Sequence, residues 1–524
     1  MKRYLLTLAL IATTALGLNS LRAQTATNAP AAAPAALPAA STEQRLESLE
    51  AYISNGDPIA PLKDTNGNVA VTSPIVSSLS PSNGGSAPYP GPGHNAWLLT
   101  STALVLFMTL PGLALFYGGL VRKKNVLSVL AQCFLITGLV TILYVVCGYG
   151  MIFGGTGDMT KDWIKGIVGD PRVCWMFTNV NSAPNGNYSY WVSENVFAMF
   201  QMMFAIITPA LIVGSIAERM KFSAIFVFMT LWMLIVYFTQ GHMVWGVNGI
   251  MNGLWNGGAK IHGLDFAGGT VVHMSSGWSG LVLCIILGKR LGFGKENFTP
   301  HSIVLTYIGA SMLWVGWYGF NSGSAVAADV IAANAFTTTT IATAVGSFVW
   351  PMWDWVVKGK PTVLGFCSGA VAGLVLITPA CGYVLPSGAI WIGIAAGTIP
   401  WFFCNKVKAW LGMDDALDAW SVHGIGGMCG AIMTGMFART AANPNYGLHL
   451  NNASEGHPIY VTDHIFQPQL WEQLKTVGVS LVLFIVGTIV IAYITKMLVG
   501  LRPTEEVEIQ GLDINEHGEE GYVG

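Results

Sequence analysis

Two histidines, His273 and His423, stand in the same short pattern and are the residues of this sequence best placed to do chemistry. Val272-His273 is followed by Gly277 and Gly280, and Val422-His423 by Gly427 and Gly430, four and seven residues beyond each imidazole. An acidic residue precedes each, Asp265 and Asp418, and Asp415 lies eight residues before His423. A neutral imidazole carries one donor and one acceptor nitrogen, so two of them can share a proton. Such a pair can line a path for a small hydrogen-bonding molecule. It can equally ligate a haem or a metal, and spacing does not choose between these.

The surrounding chain is built for lipid. Of 524 residues, 52% are hydrophobic and only 10% charged, against about 25% charged in an ordinary soluble domain. One soluble core cannot absorb that excess, because cores split into domains as chains lengthen. A bilayer can, so the class is an all-α integral membrane protein. The net charge of −2 gives no reason to expect a nucleic-acid partner. Eleven apolar runs of spanning length recur, at about 97–120, 126–153, 196–217, 223–242, 265–288, 301–321, 335–357, 362–384, 388–406, 418–438 and 474–499. With the first span entered from outside, fourteen Lys and Arg fall in the cytoplasmic connections and tail and six on the outer side, which obeys the positive-inside rule. The N-terminus is then outside and the C-terminus cytoplasmic.

His273 lies on the fifth run and His423 on the tenth, an odd interval, so the two run in opposite directions. That is the parity of a five-plus-five inverted repeat with a site near the midplane. Both histidines sit roughly 12–15 Å into a core of about 30 Å, so opposite directions bring them to one level. The glycines beyond each would let the two helices approach closely. Polar groups at such depth face an interior or a pathway.

Outside the spans the sequence is simpler. Lys2 and Arg3 precede an apolar run, Tyr4 to Leu18, and small Ala23, the pattern of a signal peptide over residues 1–23 and an inner-membrane destination. Residues 24–95 are rich in Ala, Pro and Gly, apart from a predicted short helix at 41–54. Thr42 could cap it, with Leu46, Leu49 and Ile53 as an apolar stripe that suits self-association or docking on the membrane domain. The membrane domain is 96–500 and the tail 501–524. Seven of eight cysteines lie in or beside apolar runs, with only Cys174 in a long polar loop; their spacing suggests packing and no metal site.

Longer segments carry a family resemblance. They include Thr102 to Met108, Phe116-Tyr117-Gly118-Gly119-Leu120-Val121, Asp265-Phe266-Ala267-Gly268-Gly269-Thr270-Val271-Val272-His273, Gly316 to Ala325, and Thr378-Pro379-Ala380-Cys381-Gly382-Tyr383. Across roughly residues 95–522 the sequence resembles the ammonium transporter (Amt) branch of the Amt/Rh family. The resemblance implies a homotrimer of eleven-span protomers, each with its own pore, and no enzyme activity, catalytic residue or cofactor. It implies that Trp245, Ser324 and Phe204 recruit ammonium at the outer mouth, with methylammonium as an analogue. Phe204 and Phe320 resemble a stacked phenyl gate, and His273 and His423 the twin histidines of the pore. Asp265 resembles a structural aspartate near the outer site. The tail resembles one that packs under neighbouring protomers and can meet a PII-type signalling protein. An ammonium sensor or transceptor, and a Rh-like gas channel, are the alternatives. The sequence departs from the family pattern in longer outer stretches at 154–194 and 440–470, and in Trp420, where relatives often have Phe.

Overall fold

The computed structural model describes residues 38–53, 60–62, 64, 70–71, 90–154, 162–189, 191–443 and 464–522. The expected signal peptide at 1–23, most of the expected linker and much of the 440–470 stretch lie outside the described residues.

The first described helix, α1, is Thr42–Ile53. Its cap is Ser41 and not Thr42. Ser41 Oγ accepts from Gln44 N at 3.1 Å, and Gln44 Oε1 accepts from Ser41 N at 3.0 Å. This reciprocal capping box satisfies two otherwise free donors at once, which Thr42 could not do with Arg45 three residues on. Leu46 and Leu49 are exposed.

Eight long apolar helices follow among the described residues: α2 Pro92–Leu120, α3 Lys123–Phe153, α4 Glu194–Ile216, α5 Phe222–Trp245, α6 Gly269–Leu287, α7 Ile303–Gly323, α10 Pro386–Trp410 and α12 Pro468–Val499. Each is long and apolar enough to cross a membrane. The chain is a multi-pass membrane protein. Three more helices stand at the other expected positions: α8 Val330–Lys358, α9 Val363–Ile377, and α11, which begins as Trp420–Ile425 and continues as Gly426–Phe437. Helix α8 is less apolar than the eight, and α9 is apolar but shorter. The Thr337–Thr340 run, Asp354 and Lys358 lower α8. Helix α9 stops well short of the expected 384 because Pro379 lacks a backbone donor and cannot continue it. A two-stranded antiparallel hairpin, β1 Asp162–Ile164 with β2 Val168–Gly169, sits in the loop after α3.

Helices α4 and α6 form the centre: 83% of the most apolar stretch of each is buried, against 33% for α12. Helix α6 packs on α4, α11 and α12, while α8 lies along α9 and α10. Helix α2 breaks at Leu110, which is extended ahead of Pro111, as a residue before proline prefers. Below the spans, the tail helix α13, Glu505–Gln510, and the turn after it close one face. Asp513 accepts from Leu127 N at 3.0 Å and Ser128 N at 2.8 Å, filling free donors at the start of α3. Arg502 pairs with Glu508 at 2.6 Å.

A buried ion network ties the helix ends on this tail face. Glu218 Oε2 meets Arg290 Nη1 at 3.0 Å, and Glu218 Oε1 accepts from Arg122 N at 2.7 Å. Arg290 also pairs with Asp414 at 2.7 Å. Burial by itself raises a carboxyl, but Arg290 and Arg122 together hold Glu218 below its ordinary range. The Glu218 side chain is only 1% exposed, so losing its charge leaves the buried Arg290 guanidinium with Asp414 as its one remaining carboxylate. We therefore expect Glu218→Gln to lower stability by about 3 kcal/mol near pH 7, read as melting temperature in detergent. A depressed folded-state pKa stabilises above the unfolded value of about 4.3 and ceases to do so as pH falls through the folded value. The difference between parent and variant must therefore shrink below about pH 4; a gap that persists there contradicts this account.

Candidate functional site

Each histidine lies in a wide π-helical turn at the start of its helix: His273 in Gly269–Met274 and His423 in Trp420–Ile425. Such turns displace one residue from the regular ladder and recur at functional sites. Both turns begin inside the protein and need capping. The Asp265 carboxylate accepts from the backbone N–H groups of Gly268, Gly269, Thr270 and Val271 at 2.6–3.1 Å, and from Thr270 Oγ1 at 2.5 Å. Five donors saturate it, leaving no lone pair suited to a passing cation. Its backbone carbonyl accepts from Trp245 Nε1 at 3.0 Å, fixing that indole.

The counterpart of Asp265 at the other histidine is Asp415, not Asp418. Asp415 Oδ2 accepts from Trp420 N at 2.9 Å and Oδ1 from Ser215 Oγ at 2.7 Å. Asp418 turns outward to pair with Lys408. Both capping aspartates stand eight residues before their histidine, the distance a carboxylate needs to reach back over the opening turn. Asp418 is too close to the turn for that.

The paired glycines bring the helices together reciprocally. A Cβ on Gly277 would fall 2.0 Å from Gly424 N, and one on Gly427 would fall 2.8 Å from both His273 Cβ and Gly269 O. Only hydrogen fits there. In that arrangement His273 Nδ1 and His423 Nδ1 stand 3.3 Å apart, with ring centroids at 5.3 Å. Among the described residues no group of three or more His, Cys, Asp or Glu gathers that could hold a metal, and the two nitrogens stand within reach of a shared hydrogen bond. One Nδ1 donates and the other accepts, which forces opposite tautomers. The two Nε2 atoms then offer one donor and one acceptor. His273 Nε2 has no hydrogen-bond partner among the described residues.

Rings stack above the pair. His273 lies against Trp317 at 5.4 Å and Phe320 at 6.0 Å, both nearly parallel. Trp317 is held by Nε1 donating to Thr378 Oγ1 at 2.9 Å. Trp317 and Thr378 are not among the site residues expected from the sequence, although both lie within the family-like stretches Gly316 to Ala325 and Thr378 to Tyr383. A void of about 10 Å³ touches both histidines and Met108, Leu211, Trp317 and Phe320. That is about one water-sized sphere. Phe204 and Phe320 stack at 4.1 Å and 23° and separate this void from a larger cavity of about 180 Å³. Trp245 stands edge-on to Phe204 at 6.1 Å. Ser324 also lines that cavity, and its hydroxyl donates to Phe320 O at 2.8 Å, leaving oxygen lone pairs free to accept. All seven residues singled out in the sequence thus line the two voids of one column, Asp265 with its carboxylate already occupied.

Comparison with known proteins bears on the same residues. Residues 96–522 match the Ammonium Transporter Family. The ammonium transporter of Bacillus subtilis (strain 168) is 41% identical over 426 residues, 80% of this chain and 96% of that protein. That of Aquifex aeolicus (strain VF5) is 41% identical over 430 residues, covering 82% and 93%. The crystal structure of Saccharomyces cerevisiae Mep2 superposes with a TM-score of 0.69 at 32% identity, covering 79% of this chain and 88% of that one.

The glycine contacts yield a direct test. Gly277→Ala places a methyl group against the Gly424 backbone, so it should destabilise by about 1–3 kcal/mol or more and reduce transport. A variant with parental melting temperature and parental flux would mean that the helices tolerate wider separation than the column requires.

Proposed function

The chain belongs to the ammonium transporter family; from that premise we propose that ammonium binds at the Trp245–Ser324 cavity and that ammonia crosses along His273 and His423. The chain is an ammonium transporter and not an enzyme. The observation that carries the finer reading is the 3.3 Å imidazole pair beneath the stacked phenyl rings.

The physics of the column supports a division of labour. In the upper cavity an ammonium ion can exchange part of its hydration for the faces of Trp245 and Phe204 and for a hydrogen bond to Ser324 Oγ. Below Phe204 and Phe320 the lining is apolar apart from the two imidazoles. An unpaired cation there would lack compensating hydrogen bonds, which penalises it heavily. Neutral ammonia is a small donor and acceptor, and the opposed Nε2 atoms match both capacities. Deprotonation therefore precedes the phenyl constriction, and the proton either stays outside or follows the histidine pair.

The same reading covers the architecture. Eleven spans in a five-plus-five inverted repeat account for the paired π-helical turns at the histidines. They account equally for the second pair, Met233–Tyr237 in α5 and Phe403–Val407 in α10, one helix before each histidine helix. A homotrimer in the inner membrane, with the cavity outside and the tail cytoplasmic, follows from the family and from the distribution of basic residues. The acidic tail is then the surface for a PII-type protein.

Replacing both histidines by leucine should reduce ammonium uptake about tenfold or more, since about 1.4 kcal/mol of lost hydrogen bonding is a factor of ten. Uptake in a transport-deficient host is the measurement. Unchanged flux and selectivity would remove the histidines from the mechanism. Current recording under an ammonium pulse assigns the proton: current that vanishes in the double variant routes it through the pair, and flux without current leaves it behind.

A further inference from the structure

The cavity above Phe204 is larger than the recruitment site needs, and much of its outer wall comes from the loop after α3. Asn187, Tyr188 and Trp191 all line it, together with Trp255 and Asp329. These side chains are half-buried, whereas Phe204 at the floor is fully buried. Trp245 and Ser324 are half-buried too, but Trp245 touches Phe204 ten residues into α4, whereas Trp191 precedes that helix and Asp329 caps α8, so these two stand nearer the helix ends.

The loop is held in place by polar contacts. Asn185 Nδ2 donates to the buried Glu194 at 3.1 Å, and Glu194 N donates to Ala183 O at 2.9 Å. Tyr188 OH accepts from Val247 N at 2.8 Å, and its ring lies flat against Phe197 at 5.8 Å. Trp191 O accepts from Gly91 N at 2.9 Å, and its ring leans on His94 at 6.0 Å. His94 Nδ1 accepts in turn from Ala328 N at 2.9 Å, next to Asp329. So the aromatic wall and the acidic wall are braced against each other.

Their chemistry is that of a cation site. Aromatic faces attract a small cation electrostatically, most strongly when water is partly excluded. Two carboxylates line the cavity, Asp265 and Asp329. Asp265 is consumed by its five donors. Asp329 Oδ1 caps α8 by accepting from Ala332 N at 2.8 Å, which leaves its second oxygen with lone pairs to offer. Resting on the ammonium-transport reading above, we propose that Tyr188, Trp191, Trp255 and Asp329 form a second cation subsite, outside the Trp245–Ser324 site, which selects among ammonium and its small alkyl derivatives by size and charge. An ion held there has lost part of its hydration before it reaches Trp245. The braced ring sets how much alkyl bulk can follow.

Two variants and two cations test this in the full-length protein. Asp329→Asn keeps a cap on α8, because asparagine is an equally good N-cap, and removes the charge. It should raise the half-saturation concentration for ammonium and methylammonium by about fivefold, more than it lowers the maximal rate. Trp191→Leu should alter the preference of ammonium over methylammonium, measured as the ammonium concentration that halves labelled methylammonium uptake. Parental half-saturation values in Asp329→Asn, together with parental preference in Trp191→Leu, would overturn the subsite while leaving transport intact. A parent chain that moves neither cation would overturn the transport reading itself, and is read separately.

Discussion

Backbone contact between two helices is the constraint on which everything else depends. Gly277 meets the Gly424 backbone, and Gly427 meets His273 and the Gly269 carbonyl. Any side chain at either position would force the helices apart by more than a hydrogen bond tolerates. At the observed approach, two imidazoles that would each be costly alone in an apolar interior satisfy one another. Separation would leave two unpaired buried polar groups, each penalised by about 1–3 kcal/mol. The glycines thus matter less for flexibility than for the space they leave empty.

That approach has a second requirement, because both helices start inside the protein. A helix start leaves four N–H groups without partners, and lipid offers none. Asp265 and Asp415 supply the acceptors, each eight residues before its histidine. Asp265 does more, since its carbonyl orients Trp245 at the cavity floor. One residue thereby links the start of α6, the position of His273 and the Trp245 indole. Removing its carboxylate would disturb all three, so loss of transport in such a variant would not by itself identify a ligand of ammonium.

The column narrows in the order that the chemistry demands. A wide aromatic cavity can hold a cation, a stacked phenyl pair closes its floor, and a water-sized void runs along the imidazoles. The rings above the histidines are no accident of composition. Trp317 and Phe320 stand three residues apart on α7, so both reach the same face and both pack on His273. Hydrogen bonding of Trp317 to Thr378 then locks α7 to the turn after α9, where Pro379 packs against Gly269.

Much of this was legible in the sequence, for definite reasons. Charge depletion and run lengths determine a membrane protein, because lipid accepts what a soluble surface cannot. The repeated His-x3-Gly pattern, five runs apart, determines opposed helices with imidazoles at one depth, because rise per residue is fixed. Motif likeness supplies Trp245, Ser324, Phe204 and Phe320, which periodicity could never separate from other aromatics facing lipid. Tertiary structure decided the rest. It selected Asp415 over Asp418, because only a carboxylate with room to reach back can cap the opening turn. It ended α9 at Ile377, where Pro379 lacks the donor that would continue the helix and packs instead against Gly269. The Ser41 cap of α1, by contrast, is a local feature, a capping box spelled out by Ser41 and Gln44. Above all the tertiary structure set the 3.3 Å contact between Nδ1 atoms, which a one-dimensional pattern permits but cannot enforce, since distance across helices depends on what every neighbour leaves vacant.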